Sequence, residues 1–352
     1  MATDVQHPPS ERAVHGNGHS KARIAAIVAT LVVAVVGAAV VFTQVGNDEP
    51  TAESVTATLR VDGQPNGLAV GSDALWVALN DEPTGLGAKL ERINLTSGAV
   101  EQSVPITGVL NETRRTGTSL WTERIGDWMD TKPGELIELD WTSGKILGRV
   151  PFDTTPSEFD FGAGSLWVVV GREPATLIRV DPATKKQVGE AIPVTAHRVI
   201  GLAFGEGAVW AAAAEDGMLV RIDPDSGHVD KVKVGEYPVG IVIAGGSVWV
   251  TNRSGGTVSR VDPTTMKVVD TIDAGTFPTW LAAAGGSVWV ANQSDGTVTR
   301  IDERTGQTIG DPIKIASPFD KDAAAHIVAV DGNSVWVSSL TEKTLSRIDA
   351  SR

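Results

Sequence analysis

Pro238-Val-Gly-Ile-Val-Ile-Ala-Gly-Gly-Ser-Val-Trp-Val-Thr-Asn-Arg-Ser-Gly-Gly-Thr-Val-Ser-Arg-Val-Asp262 is answered 40 residues later by Pro278-Thr-Trp-Leu-Ala-Ala-Ala-Gly-Gly-Ser-Val-Trp-Val-Ala-Asn-Gln-Ser-Asp-Gly-Thr-Val-Thr-Arg-Ile-Asp302. The two tryptophans belong to a longer series: Trp76, Trp121, Trp167, Trp210, Trp249, Trp289 and Trp336, spaced 45, 46, 43, 39, 40 and 47 residues apart. Within one unit a small apolar run (Leu281-Ala-Ala-Ala284) precedes a Gly-Gly turn, whose residues take the positive φ a tight hairpin needs. A β-branched run around the tryptophan (Val288-Trp289-Val290) and a third run (Thr297-Val-Thr-Arg-Ile-Asp302) follow. Turns such as Asp223-Pro-Asp-Ser-Gly227 then lead to an outer run such as Lys267-Val-Val-Asp-Thr-Ile272.

Four short strands repeated with a period of about 40–50 residues describe the blade of a β-propeller, and seven tryptophans predict seven blades. The fold class is therefore all-β. The seventh unit reaches Leu345-Ser-Arg-Ile-Asp349 with no outer run after it, while Val55-Thr-Ala-Thr-Leu-Arg-Val61 has the pattern of an outer strand and no unit of its own. The reading is that this segment completes the seventh blade and closes a ring over residues 55–352.

The start of the chain differs in kind. Ile24 to Thr43 is 20 residues without a charge, long enough to cross a bilayer as a single transmembrane helix. Arg12, Lys21 and Arg23 precede it, and Asp48, Glu49 and Glu53 follow. The positive-inside rule then places residues 1–23 in the cytoplasm, as a polar disordered segment, and the propeller outside, joined by an acidic linker over 44–54. A cleaved signal peptide is the alternative, although its apolar region usually spans only about 7–15 residues. The membrane is thus the one partner expected by name, through Ile24–Thr43.

There is no cysteine among the 352 residues, which excludes disulfides, thiolate catalysis and cysteine-ligated metals. The net charge of −13 repels phosphate backbones, so no nucleic-acid partner is expected. No serine-hydrolase elbow, zinc-protease helix, phosphate loop or calcium loop occurs.

A repeat supplies its own control: residues shared by the blades read as scaffold, and departures mark function. Arg92, Arg179, Arg221, Arg260, Arg300 and Arg347 recur at one position and read as structural ion-pairing. Three connections are longer than the rest: 78–87 in blade one, 123–134 in blade two, and 316–325 entering blade seven. They predict a raised lip on the upper face, with Trp128, Met129 and Phe319 as apolar anchors for a partner. On the same face, polar residues replace apolar ones where the innermost strands begin around the central funnel. These are Glu112, Arg114, Glu158, His197, Arg198, Trp280 and His326, joined by Glu123, Arg172 and Arg253 after the second strands. Glu112, Arg114, Arg172, Arg198, Arg253 and Trp280 are the candidate ligand contacts. His197, His326, Glu158 and Glu123 are the candidate catalytic groups.

Pro65-Asn-Gly-Leu68, Pro238-Val-Gly-Ile241 and the Gly-Ser-Val-Trp-Val segments resemble the bacterial YVTN and streptogramin-lyase-like propellers across residues 55–352. The resemblance implies the propeller fold. For the lyase branch it implies magnesium-dependent elimination by a histidine and a glutamate. Only Trp121-Thr-Glu123 approaches that branch's Trp-Phe-Thr-Glu, with the glutamate one residue closer to the tryptophan, and no histidine matches by motif. The reading is therefore a membrane-anchored sensor or scaffold domain that binds an unknown protein or small molecule on its upper face. No cofactor is expected, and the alternative is a metal-dependent lyase that would use magnesium in the funnel.

Overall fold

The computed structural model describes residues 29–35, 38–44, 55–81, 87–125, 133–171, 175–317 and 325–351, the first two segments in their backbone only. Seven sheets, each an antiparallel meander, form seven blades. Blade five shows the unit plainly, with Pro238–Ala244 innermost, then Ser247–Asn252, Thr257–Asp262 and Lys267–Asp273 at the rim. Blade seven consists of Val328–Asp331, Ser334–Ser339 and Thr344–Asp349, and its outer strand is Val55–Arg60. That strand pairs antiparallel with Thr344–Asp349 and buries Leu59, so the ring closes with the segment that the sequence left over. In blade three the rim is broken into Lys186–Gln187 and Ile192–Pro193.

All seven repeat tryptophans are buried between neighbouring blades. In blades three to six the indole Nε1 donates to the carbonyl five residues earlier, at the end of the innermost strand (Gly162, Gly205, Ala244 and Ala284). The recurrent arginine lies directly across from the tryptophan on the third strand, as in Trp249 against Arg260. Its role is chiefly to cover the indole. The guanidinium carbons of Arg179, Arg260 and Arg300 lie 5.3, 5.2 and 4.9 Å from the ring centroids, and each Nε donates to a second-strand serine. Carboxylate partners occur in blades one and four, where Arg92 meets Asp73 and Arg221 meets Asp230. Blade two has Glu138 opposite Trp121, and Lys185 of blade three supplies both the cation over the ring and an ion pair to Glu138.

The innermost strands carry glycine where two blades nearly touch. A Cβ on Gly201 would sit 1.8 Å from the Val239 carbonyl oxygen, and one on Gly240 would sit 2.5 Å from that of Thr279. Turn aspartates do what their sequence context requires: Asp223, Asp262 and Asp302 each accept two backbone N–H groups, which holds them below the usual carboxylate range.

The helix expected over 24–43 is not what the described backbone forms. Ala29–Val35 and Ala38–Gln44 pair as an antiparallel hairpin. Both are rich in valine, whose branched Cβ favours extended backbone over helix outside a bilayer. Among the described residues no helix is long and apolar enough to cross a membrane. Residues 1–28 and 45–54, which hold the expected cytoplasmic segment and most of the linker, lie outside the described residues.

Candidate functional site

Strand register aligns the seven blades residue by residue and shows which inward positions depart from the repeat. The tryptophans pair with Ala69, Arg114, Asp160, Ala203, Val242, Ala282 and Ala329 on the innermost strands. Two residues before these stand Gly67, Glu112, Glu158, Gly201, Gly240, Trp280 and Ile327. Blades two and three therefore replace small residues with charge at both positions, and blade six puts an indole where blades one, four and five have glycine.

These positions line the central channel, which holds two cavities. The lower one, of ≈ 830 Å³, is bounded by the later halves of the innermost strands and includes Glu112, Arg114, Asp160 and Trp280. The upper one, of ≈ 500 Å³, is bounded by the beginnings of those strands and the ends of the second strands. Its walls include Glu158, Arg198, Tyr237, Arg253, Trp280 and His326. Trp280 borders both.

Between blades two and three the charges form one cluster, in which Glu112, Glu123 and Glu158 are buried while Arg114 and Asp160 are partly exposed to the lower cavity. Arg114 approaches Glu112 at 4.0 Å and Asp160 at 3.8 Å, and its guanidinium lies 5.9 Å from the Phe159 ring. Asp160 accepts the Phe204 backbone N–H of blade four at 2.8 Å. Glu123 accepts from Asn111 at 2.9 Å. Glu158 is 2% exposed, and its Oε2 is buried with no hydrogen-bond partner. One guanidinium cannot compensate four carboxylates of which Glu112, Glu123 and Glu158 are buried. Burial raises Glu158 well above the usual carboxylate range, with Glu112 and Glu123 adding to the effect and Arg114 opposing it. Burial raises Glu112 too, against the pull of Arg114. Burial works against the charge on Arg114, but Glu112, Asp160, Glu158 and Glu123 hold it protonated more firmly than usual.

Across the upper cavity the character changes. Arg253 Nη2 donates to Gln293 at 2.9 Å, its guanidinium stacks 5.3 Å from the Phe277 ring, and its Nε is buried without a partner. Arg198 lies 5.8 Å from the Tyr237 ring. Arg198, Tyr237 and Phe277 occupy one repeat position with φ of 49°, 57° and 54°. Each offers its carbonyl to the residue that follows the second strand: Ala214, Arg253 and Gln293. The left-handed backbone costs of order 1 kcal/mol or more per residue, and this shared hydrogen bond holds it. His326 has an unpartnered Nδ1, and burial together with the nearby Arg253 lowers its pKa to about 4.

Not every expected residue reaches the upper face. Glu112 and Arg114 sit mid-strand and face the lower cavity, because the blade-two strand already begins at Val109. Glu123 lies inside Ser119–Ile125 and is fully buried, so it does not emerge onto the face. His197 lines neither cavity: its side chain is 62% exposed and its Nδ1 meets Asp216 at 2.8 Å. Arg172, Trp128, Met129 and Phe319 lie outside the described residues. Asp160, Tyr237 and Gln293 escaped the sequence reading, and counting back from the pairing tryptophan would have found Asp160. The described residues do not fit the magnesium that a lyase would need. Arg114 already sits as a cation among the buried acids, and no three His, Asp or Glu side chains among the described residues converge on a metal position.

The architecture and the charged channel define a seven-bladed β-propeller. Residues 134–254 match a repeat of unknown function (DUF6923). No curated protein matches the sequence. Among solved structures, virginiamycin B lyase from Staphylococcus aureus is similar with a TM-score of 0.67 at 16% identity, over 83% of this chain and 98% of that one. A chain of the mitotic checkpoint complex is similar with a TM-score of 0.70 at 13% identity, over 86% and 95%. The β-propeller domain of Cps50 (Swd1) from Myceliophteria thermophila gives 0.67 at 12%, over 85% and 99%. At these identities the likeness is one of fold.

Proposed function

We propose that this protein is a membrane-anchored, extracytoplasmic binding propeller of the YVTN and streptogramin-lyase-like kind, a sensor or scaffold domain that captures a small ligand in the upper cavity. The observation that carries the reading is the upper cavity itself. At ≈ 500 Å³ it has the size of a small-molecule site, and it gathers Glu158, Trp280, Arg253 and His326 where other blades carry different residues. The Ile24–Thr43 segment is the anchor. It takes helical form in the bilayer, because an open two-stranded hairpin leaves edge groups unpaired in lipid. The long connections bearing Trp128, Met129 and Phe319 provide a second, protein-facing contact on the same side.

Elimination chemistry is the second reading, favoured by one observation: His326 and Glu158 border the same cavity. An imidazole with a pKa of about 4 is a weak general base at neutral pH, so binding is the stronger reading. The test uses the fragment 49–352, which contains all seven sheets. A small-molecule library is screened by thermal shift, and turnover of a cyclic streptogramin is assayed with and without magnesium. Saturable thermal stabilisation that Trp280→Gly abolishes supports the binder. Turnover that His326→Ala abolishes replaces it with the enzyme.

A further inference from the structure

The walls of the upper cavity specify the chemistry of its ligand. Four residues after the blade tryptophan stand Asn80, Ile125, Gly171, Ala214, Gln293 and Leu340 in six blades, and Arg253 in blade five. A cation at that position is no part of the scaffold. Among the described residues Arg253 has no ion pair to a carboxylate; its contacts are the Gln293 side-chain amide and the Phe277 ring. A guanidinium so placed is a planar donor fork on the cavity wall with no carboxylate partner among the described residues. Arg198, on the same cavity, reaches Glu215 only at 3.8 Å, with both side chains more than 40% exposed. The same cavity is lined by Glu158, whose buried Oε2 has no hydrogen-bond partner among the described residues. Trp280 supplies an apolar face on one side.

Resting on the binding reading above, we infer that the upper cavity is a receptor site for a small organic monocarboxylate. Its carboxylate is gripped by Arg253 with Arg198 beside it, its apolar body lies against Trp280, and a polar group at its far end meets Glu158. One guanidinium without a carboxylate partner among the described residues balances one negative charge. A phosphate dianion would bring a second negative charge into a cavity whose lining also carries Glu158. A flat apolar or aromatic body suits the indole better than a sugar does.

The experiment measures binding to the 49–352 fragment by ligand-observed NMR. Benzoate and hexanoate are the probes, benzamide and hexanamide their neutral counterparts, and inorganic phosphate the alternative anion. The expected result is that the carboxylates bind at least tenfold more tightly than the amides and than phosphate. Arg253→Gln should weaken carboxylate binding tenfold or more, Arg253→Lys should restore it in part, and Arg347→Gln on the outer side of blade seven should leave it unchanged. Tryptophan fluorescence melts run on each variant exclude loss of fold. Equal binding of acids and amides, dependent on Trp280 and indifferent to Arg253, overturns the carboxylate assignment while leaving the cavity a binding site. Preferential binding of phosphate overturns it in favour of a different anion. Failure of every probe to bind overturns the assignment, and the thermal-shift screen then decides separately whether the cavity binds anything.

Discussion

Replacing Glu158 with glutamine removes one ionisable proton from the channel and keeps the shape of the side chain. In the wild type this carboxyl is 2% exposed, beside Glu112, Glu123 and Asp160 with only Arg114 to offset them, and its pKa is raised well above the ordinary 4.5. The folded chain therefore keeps a proton that the unfolded chain releases. The stability from Glu158 is fully present below the unfolded value and is lost as pH rises toward the folded one. Each pH unit in that window costs about 1.4 kcal/mol per retained proton. Glutamine has no proton to lose, so the Glu158→Gln curve should pull above the wild type by about 1.4 kcal/mol per unit as pH climbs from 4.5. The lowered turn aspartates act below their usual 3.8, and His326 is common to both proteins, so neither distorts the difference. The assay is urea unfolding followed by tryptophan fluorescence between pH 4.5 and 8. Parallel curves for the two proteins would show that Glu158 ionises freely and that the cluster does not exist as described.

His326 runs the other way. Its folded pKa is about 4 against an ordinary 6.5, so its stability is present above 6.5 and is lost as pH falls toward 4. That loss amounts to about 3 kcal/mol at most, and His326→Gln should flatten it in the same titration. A His326 imidazole seen by NMR to titrate near 6.5 would refute this. Ring closure rests on Val55–Arg60, so Leu59→Ala should cost ~2–5 kcal/mol, while exposed Arg60→Ala should stay within ~0.5 kcal/mol. Equal unfolding midpoints for the two variants would count against closure by this strand. Protease added to intact cells should remove the propeller and leave a short membrane-bound stub; a propeller recovered free in the medium would mean that the apolar segment is cleaved.

The blade number, the strand order within each blade and the closing strand were all legible in the sequence. The first two are local matters, adjacent strands joined by short turns and marked by glycines, aspartates and a recurring tryptophan. The closing strand is legible because the repeat leaves one outer strand over at its start and lacks one at its end. The 20 uncharged residues Ile24–Thr43 predict a helix from hydropathy, whereas the described part of that segment forms the Ala29–Val35 and Ala38–Gln44 hairpin, which its β-branched side chains favour outside a bilayer. The channel was legible only in part. Glu158, Arg198, Arg253, Trp280 and His326 were picked out as breaks in the repeat, and all five line the upper cavity. Which way the others face is set by bulges at the start of the innermost strands, such as those between Pro156 and Glu158 and between Leu110 and Thr113. A one-residue shift there exchanges inward for sideways, and composition carries no mark of it. The meeting of Arg114 with Asp160, and of Arg253 with His326, joins residues on different blades. Curling the meander into a closed ring brings them together, so only the tertiary structure decides that the channel holds an acidic, proton-retaining cluster between blades two and three, and Arg198 and Arg253 around its upper cavity.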